Sequence, residues 1–263
     1  MGIDFKKMRQ KLLQLQNKGS GSANAFWRPQ DGDNNIRIIP TADGDPFKEY
    51  WFHYNVGKNP GFLCPKKNFG KPCPCCDFAW HIMSEAKETN DVETLKLAKS
   101  LLPRQRYFSP VLVRGEEDAG VKVWGYGKMA YKELLDLVLN PDYGDITDVA
   151  DGTDLVLNYG KPPGASFPQT KLQPRRRTSP MVKEGAESSH AKNLLDSIPE
   201  FKGLFLEKTG DEIEIMLNEF LSGKSEESDA EDSSNETTKY NTNKNFSNSG
   251  SSKVDDAFNE LLG

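Results

Sequence analysis

Apolar residues open the chain at helical spacing. Phe5, Met8, Leu12 and Leu15 recur at three- and four-residue intervals and predict one stripe of an amphipathic helix over 4–17. Lys18-Gly19-Ser20-Gly21-Ser22 breaks that pattern as a joint. From Ala25 the apolar runs shorten, and strands are predicted over 35–40, 47–54, 107–114, 121–125 and 155–159. Short strands punctuated by Gly, Pro and Asp point to a small barrel or sandwich. Helical spacing returns over 77–88, 91–101, 130–139 and 209–221, the last with Ile213, Leu217, Phe220 and Leu221 on one face. The fold class predicted is therefore mainly β with helices. Past Gly223 the chain runs in Ser, Asn, Thr, Glu and Lys as far as Ser252, a composition that buries too little apolar area to order itself. Val254, Phe258, Leu261 and Leu262 then share one face of a short acidic segment. The organisation expected is a basic arm over 1–22, a core over 23–222 and an acidic tail with an amphipathic tip over 223–263. No internal repeat is present.

Composition sharpens this division. Of 263 residues, 36% are hydrophobic and 28% charged, with a net charge of −5. Residues 224–263 hold four Lys against nine Asp and Glu, so the tail carries the whole net charge and the rest is neutral. Residues 1–20 hold five Lys and Arg against one Asp. An acidic total does not argue against a nucleic-acid partner, because patches decide that and sums do not. The first residues lack the apolar core of a secretory signal, Lys6 stands where myristoylation wants Ser or Thr, and no stretch approaches the roughly 18 apolar residues of a membrane span. The expectation is a soluble, cytoplasmic protein, in which the sequons at Asn235 and Asn245 carry no glycan.

Four cysteines, Cys64, Cys73, Cys75 and Cys76, fall within thirteen residues. Crowded thiols without an export signal suit a metal better than a disulfide framework. Cys73 and Cys76 form a C-x-x-C on the turn before a helix, which presents two sulfurs at the bite a tetrahedral zinc needs. His53 and Cys64 can arrive from a preceding hairpin, with Pro60-Gly61 and Gly70-Lys71-Pro72 supplying turns. Cys75 lies inside the C-x-x-C and is expected to point away, and His81 is the rival nitrogen donor. A thioredoxin-like redox site lacks its βαβ context. A zinc deaminase lacks its H-x-E, since Tyr54-Asn55 follows His53 and Ile82-Met83 follows His81. A closed structural site of three cysteines and one histidine is left, against the plainer alternative of buried free thiols.

Basic and aromatic residues gather elsewhere. In the 121–128 run, Lys122, Trp124, Tyr126 and Lys128 alternate with Val121 and Val123, so charge and rings are expected along one exposed face. Arg104, Arg106 and Arg114 flank a neighbouring strand. Residues 161–183 hold Lys161, Lys171, Arg175, Arg176, Arg177 and Lys183 with no Asp or Glu. Cations that follow phosphates, with rings on which bases stack, are what a single-stranded nucleic acid requires. Core packing of the rings and a solvated arginine loop are the plainer alternatives.

The chain resembles the single-stranded DNA-binding, helix-destabilising proteins of T-even-type bacteriophages. The resemblance rests on Asn35-Ile36-Arg37-Ile38-Ile39-Pro40, the order His53…Cys64…Cys73-x-x-Cys76, Trp124-Gly125-Tyr126-Gly127-Lys128, Tyr143-Gly144-Asp145-Ile146-Thr147-Asp148 and the acidic tail. It covers about residues 25–222 in pattern and the tail in composition. It implies an OB-fold barrel core with an inserted zinc subdomain over about 51–102, one structural Zn²⁺ on His53, Cys64, Cys73 and Cys76, and aromatic DNA contacts at Trp124 and Tyr126. It also implies cooperative binding along the strand and a tail that contacts replication and recombination proteins. Cys75 adds a thiol to the pattern, and the arm has Lys6, Lys7, Arg9 and Lys11 in place of a compact basic Ser-Thr motif.

The function expected is a non-enzymatic, sequence-tolerant coat for single-stranded DNA in phage replication, recombination and repair, inside the infected bacterial host. Its DNA contacts are expected at Arg104, Arg106, Arg114, Lys122, Trp124, Tyr126, Lys128, Arg175, Arg176 and Arg177. A zinc-containing RNA-binding or translational regulator would use the same surface. A hydrolase would have to rely on Asp142, Asp145, Asp148 and Asp151, which sit in a turn-rich stretch.

Overall fold

The computed structural model describes residues 25–222, apart from 55, 57–60, 184, 186–187 and 206. The basic arm and the acidic tail lie outside the described residues. In chain order the described strands are β1 (Phe26–Trp27), β2 (Gly32–Ile38), β3 (Lys48–His53), β4 (Phe62–Leu63), β5 (Arg104–Val113), β6 (Lys122–Tyr126), β7 (Leu155–Gly160) and β8 (Gln169–Pro174). The described helices are α1 (Pro65–Phe69), α2 (Pro74–Glu88), α3 (Val92–Leu101), α4 (Lys128–Val138), α5 (Ser189–Asp196) and α6 (Gly210–Leu221). These helices hold more residues than the strands, so the mainly β class gives way to a mixed sheet with helices. The chain divides into two units. The described residues through Tyr50 with Gln105–Leu204 form the first, and Trp51–Arg104 with the described residues from Phe205 form the second.

The sheet path runs β1-β6-β5-β2-β7-β8, with β3 beside β5 and β4. β1 pairs with β6 in parallel, whereas β2–β5, β2–β7, β5–β6 and β7–β8 are antiparallel. The end strands β1 and β8 do not pair with each other, so the ladder among the described residues is open. The expected closed barrel is not formed by these pairings.

Alternation along the strands gives the first unit two faces. Ile36, Ile38, Val111, Val113, Trp124, Tyr126, Leu155 and Leu157 fill one, closed by Ala130 and Leu134 of α4. Leu112 on the other packs with Ile39, Val121, Met181, Val182, Ala191 and Leu194. Arg37 is on the second face as well, and it is fully buried. Its guanidinium meets the Asp154 carboxylate at 2.8 Å and donates to the carbonyls of Gly152 at 3.0 Å, Ser179 at 2.8 Å and Asp148 at 3.3 Å. Gly152 has no alternative here, because a Cβ would stand 2.4 Å from the Asp148 carbonyl and 2.8 Å from Arg37 Nη1. Removing one partner of such a buried pair costs on the order of 3–5 kcal/mol, since the other charge stays behind unpaired.

The second unit packs α2, α3 and α6 around one core that includes Phe62, Phe78, Ile82, Leu101, Ile213 and Leu217. α2 buries Cys75, Cys76, Phe78, Ala79, Ile82, Met83 and Ala86, a helical stripe. It starts at Pro74, earlier than the spacing predicts, because proline is already set for the first helical position. Asp91 caps α3 through the amides of Glu93 and Thr94. Thr209 and Glu212 form a capping box at the start of α6.

Candidate metal centre and nucleic-acid interface

In the second unit, β3 ends on His53 and pairs it with Phe62 of β4. Cys64 follows β4 directly and caps α1, accepting the Lys67 amide at 3.4 Å. Cys73 immediately precedes α2, and Cys76 is that helix's third residue. At α1 the Cys64 sulfur accepts a free amide of the helix N-terminus, whereas Cys73 sits at the start of α2 without a side-chain bond to its amides. Asn68 ties the parts together. Its side chain accepts the Trp51 amide at 3.0 Å and donates to the carbonyls of Trp51 at 2.7 Å and Cys64 at 2.9 Å.

The donor atoms of His53, Cys64, Cys73 and Cys76 all lie within 4.8 Å of one another, and all four residues are buried. His53 Nε2 is 3.4 Å from Cys73 Sγ and 3.5 Å from Cys76 Sγ, and Cys64 Sγ is 3.5 Å from Cys76 Sγ. Ligands on a tetrahedral zinc are separated by about 3.5–3.8 Å, given its bond lengths. The edges fit. His53 Nδ1 lies 2.7 Å from the Leu101 carbonyl and donates to it, which turns Nε2 toward the sulfurs, where it would offer its lone pair to a metal. Contacts with Cys73 and Cys76 hold the Cys64 thiol far below its ordinary range. The Cys76 thiol is pushed up by Cys64 and Cys73. Burial works against a charged His53, yet its thiol neighbours raise it to about 12. Donors crowded this way call for a shared cation, and the four residues could hold one metal ion. Cys75 stands outside the set. Its thiol donates to the same Leu101 carbonyl at 3.6 Å, and burial pushes it up. His81, the rival donor, is instead 3.9 Å from Glu85 on its own helix.

In the first unit, the expected nucleic-acid contacts separate. Trp124 is 1% exposed and Tyr126 3%, so the reading of both as surface rings is corrected. The alternation holds, but the face they share is the one α4 covers. Their rings lie 4.3 Å apart, the Tyr126 hydroxyl meets Ser109 Oγ at 2.7 Å, and burial raises the phenol. Lys122 on that strand is half-buried. On the opposite face Val123 is buried, and Gly125 is exposed but leaves no room for a Cβ, which would stand 2.8 Å from the Phe108 ring.

Arg114 is likewise corrected. It grips both carboxylate oxygens of Asp154 and donates to the carbonyls of Met181 at 2.7 Å and Pro180 at 3.1 Å, which makes it a tie inside the fold. Arg104, Arg106 and Lys128 are exposed. Arg175, Arg176 and Arg177 do come together, in an open cleft of about 530 Å³ with Asp154, Pro174, Thr178 and Ser179. The Arg175 side chain donates to Asn35 Oδ1 at 2.8 Å, whereas Arg176 and Arg177 stand on the exposed rim. Phe167, in the connection between β7 and β8, is 62% exposed.

Sequence reasoning missed Asn68, the Arg37–Asp154 pair and Phe167. An arginine set among isoleucines at the centre of a strand was the available signal for Arg37. Asn68 and the Leu101 carbonyl give none, because their roles exist only after the chain has closed on itself.

A family model described as gp32 DNA binding protein like matches residues 30–222. No curated protein matches the chain.

Proposed function

The chain belongs to the gp32-like DNA-binding protein family, and from that premise we propose that it coats single-stranded DNA without regard to sequence and without catalysing a reaction. The family match over 30–222 carries the reading. The cleft lined by Arg175, Arg176 and Arg177 supports it, since guanidiniums on an open rim follow a phosphate backbone. Arg106 and Lys128 add exposed cations on the same unit, and Phe167 an exposed ring for a base to stack on. Trp124 and Tyr126 support the sheet beneath.

The metal is zinc in this reading, closed in by His53, Cys64, Cys73 and Cys76. Four protein ligands leave no position for a water, so its part is to hold the second unit together. The setting is phage replication, recombination and repair in the infected host, with neighbouring copies aligned along the strand through the basic stretch 1–20. The acidic residues of 224–263 compete with DNA for the protein's own cations, and the apolar residues of the tip bind replication proteins. Competition decides between nucleic acids. Unlabelled oligo-dT should displace labelled oligo-dT at far lower concentration than duplex DNA of equal length. Oligo-U competing better than oligo-dT would make the protein an RNA binder.

A further inference from the structure

Arg176 and Arg177 belong to a segment that Asp154 holds at both ends, by its backbone at one and its side chain at the other. At its start, the Arg175 amide donates to the Asp154 carbonyl at 2.9 Å. At its end, the Ser179 hydroxyl lies 3.2 Å from Asp154 Oδ2, and the Ser179 amide donates to the Gly152 carbonyl at 3.0 Å. Arg37 Nη2 reaches the same residue, 2.8 Å from both its carbonyl oxygen and its hydroxyl. The Asp154 carboxylate is shared between Arg37 and Arg114, each with a nitrogen within 3 Å of Oδ1.

We propose that Arg37 and Asp154 are positioning residues for single-strand binding: through Ser179 they fix the 175–179 segment so that Arg176 and Arg177 meet successive phosphates already ordered. The inference rests on the single-strand reading and adds to it a pair that touches no DNA. Arg37 is fully buried, so it reaches the strand only through the segment it holds. A loop fixed in advance has less entropy to lose when phosphates arrive, and that gain is realised only through the arginines it carries. An ion pair that merely stabilised the fold would act equally with or without those arginines.

Titration of labelled oligo-dT with the full-length protein over a salt series tests this. Replacing both Arg176→Ala and Arg177→Ala should flatten the slope of log K against log salt by about 1.4, since each phosphate contact on a single strand contributes roughly 0.7. Ser179→Ala removes the hydroxyl links while leaving every cation in place, and should weaken binding by at least about threefold. In the Ser179→Ala background, the arginine pair should cost less than half as much in log K as it does in wild type, the mark of groups acting together. Asp154→Asn should show the same coupling more strongly, and Ser179→Ala decides the matter if that variant does not fold. Additive effects, or a Ser179→Ala protein that binds like wild type, would overturn the clasp while leaving the cleft as a binding site. An unchanged salt slope in the arginine double variant would remove the cleft from the DNA path, and the clasp with it.

Discussion

Trp124 sits in a cluster with Ile36, Val111, Leu134 and Leu157, and Phe167 stands in the open, so the two rings answer opposite questions. Trp124→Ala leaves a cavity in a closed core and should cost about 3–5 kcal/mol of stability in a denaturant melt. Phe167→Ala should leave the melt unchanged and weaken oligo-dT binding by about 1–3 kcal/mol, the value of one stacked base. A Trp124→Ala protein of normal stability with lost binding would return that ring to the interface. The cysteines separate in the same manner. Cys73→Ser removes a ligand and should release the metal and lower the melting temperature, whereas Cys75→Ser removes only a thiol directed at Leu101 O and should keep one metal per chain. Metal analysis of the purified variants reads this directly, and equal loss from both would redraw the ligand set.

Elements decide what was readable from the sequence alone. The run Thr209-Gly210-Asp211-Glu212 before an apolar stripe is a helix start in letters, and α6 begins there. The Cys-Pro pairs at 64–65 and 73–74 hold a similar signal, since each proline takes the first helical position, yet apolar spacing predicts no helix over 65–69 and starts the next only at 77. Strand faces were different. Alternation in β6 puts Trp124 and Tyr126 on one face, but alternation does not say which face is covered, and here helix α4 covers theirs. Arg114 was legible as a cation and illegible as a tie, because Asp154 lies forty residues away in sequence. The capping box carries its own pH test. Hydrogen bonds from Thr209 pull Glu212 below its ordinary value. A carboxylate depressed by folding contributes stability that is present above its unfolded pKa and is lost as pH falls through the folded one. Thr209→Ala should therefore lower stability by about 1 kcal/mol near neutrality. The gap to wild type should narrow in acid as Glu212 takes up its proton, and a gap constant from pH 7 to pH 3 would mean that the Thr209 hydroxyl does nothing for the Glu212 carboxylate, whose bond from the Thr209 amide the substitution leaves in place.

On the scale of the whole molecule, charge is partitioned. The family match stops at residue 222, and the net charge of −5 lies beyond it, in residues 224–263. Removing those residues should tighten binding to oligo-dT, most at low salt where acidic residues are least screened. Equal affinity of truncated and full-length protein at low and high salt would deny the tail any competition with DNA. The binding itself is the deeper question, and one titration addresses it: full-length protein on oligo-dT, with affinity followed from low to high salt. If about five phosphates are neutralised, log K should fall against log salt with a slope of roughly −3.5, and the affinity should exceed that for duplex DNA at every salt. A slope near zero, or duplex bound as tightly as the single strand, would contradict the reading of this chain as a single-strand coat.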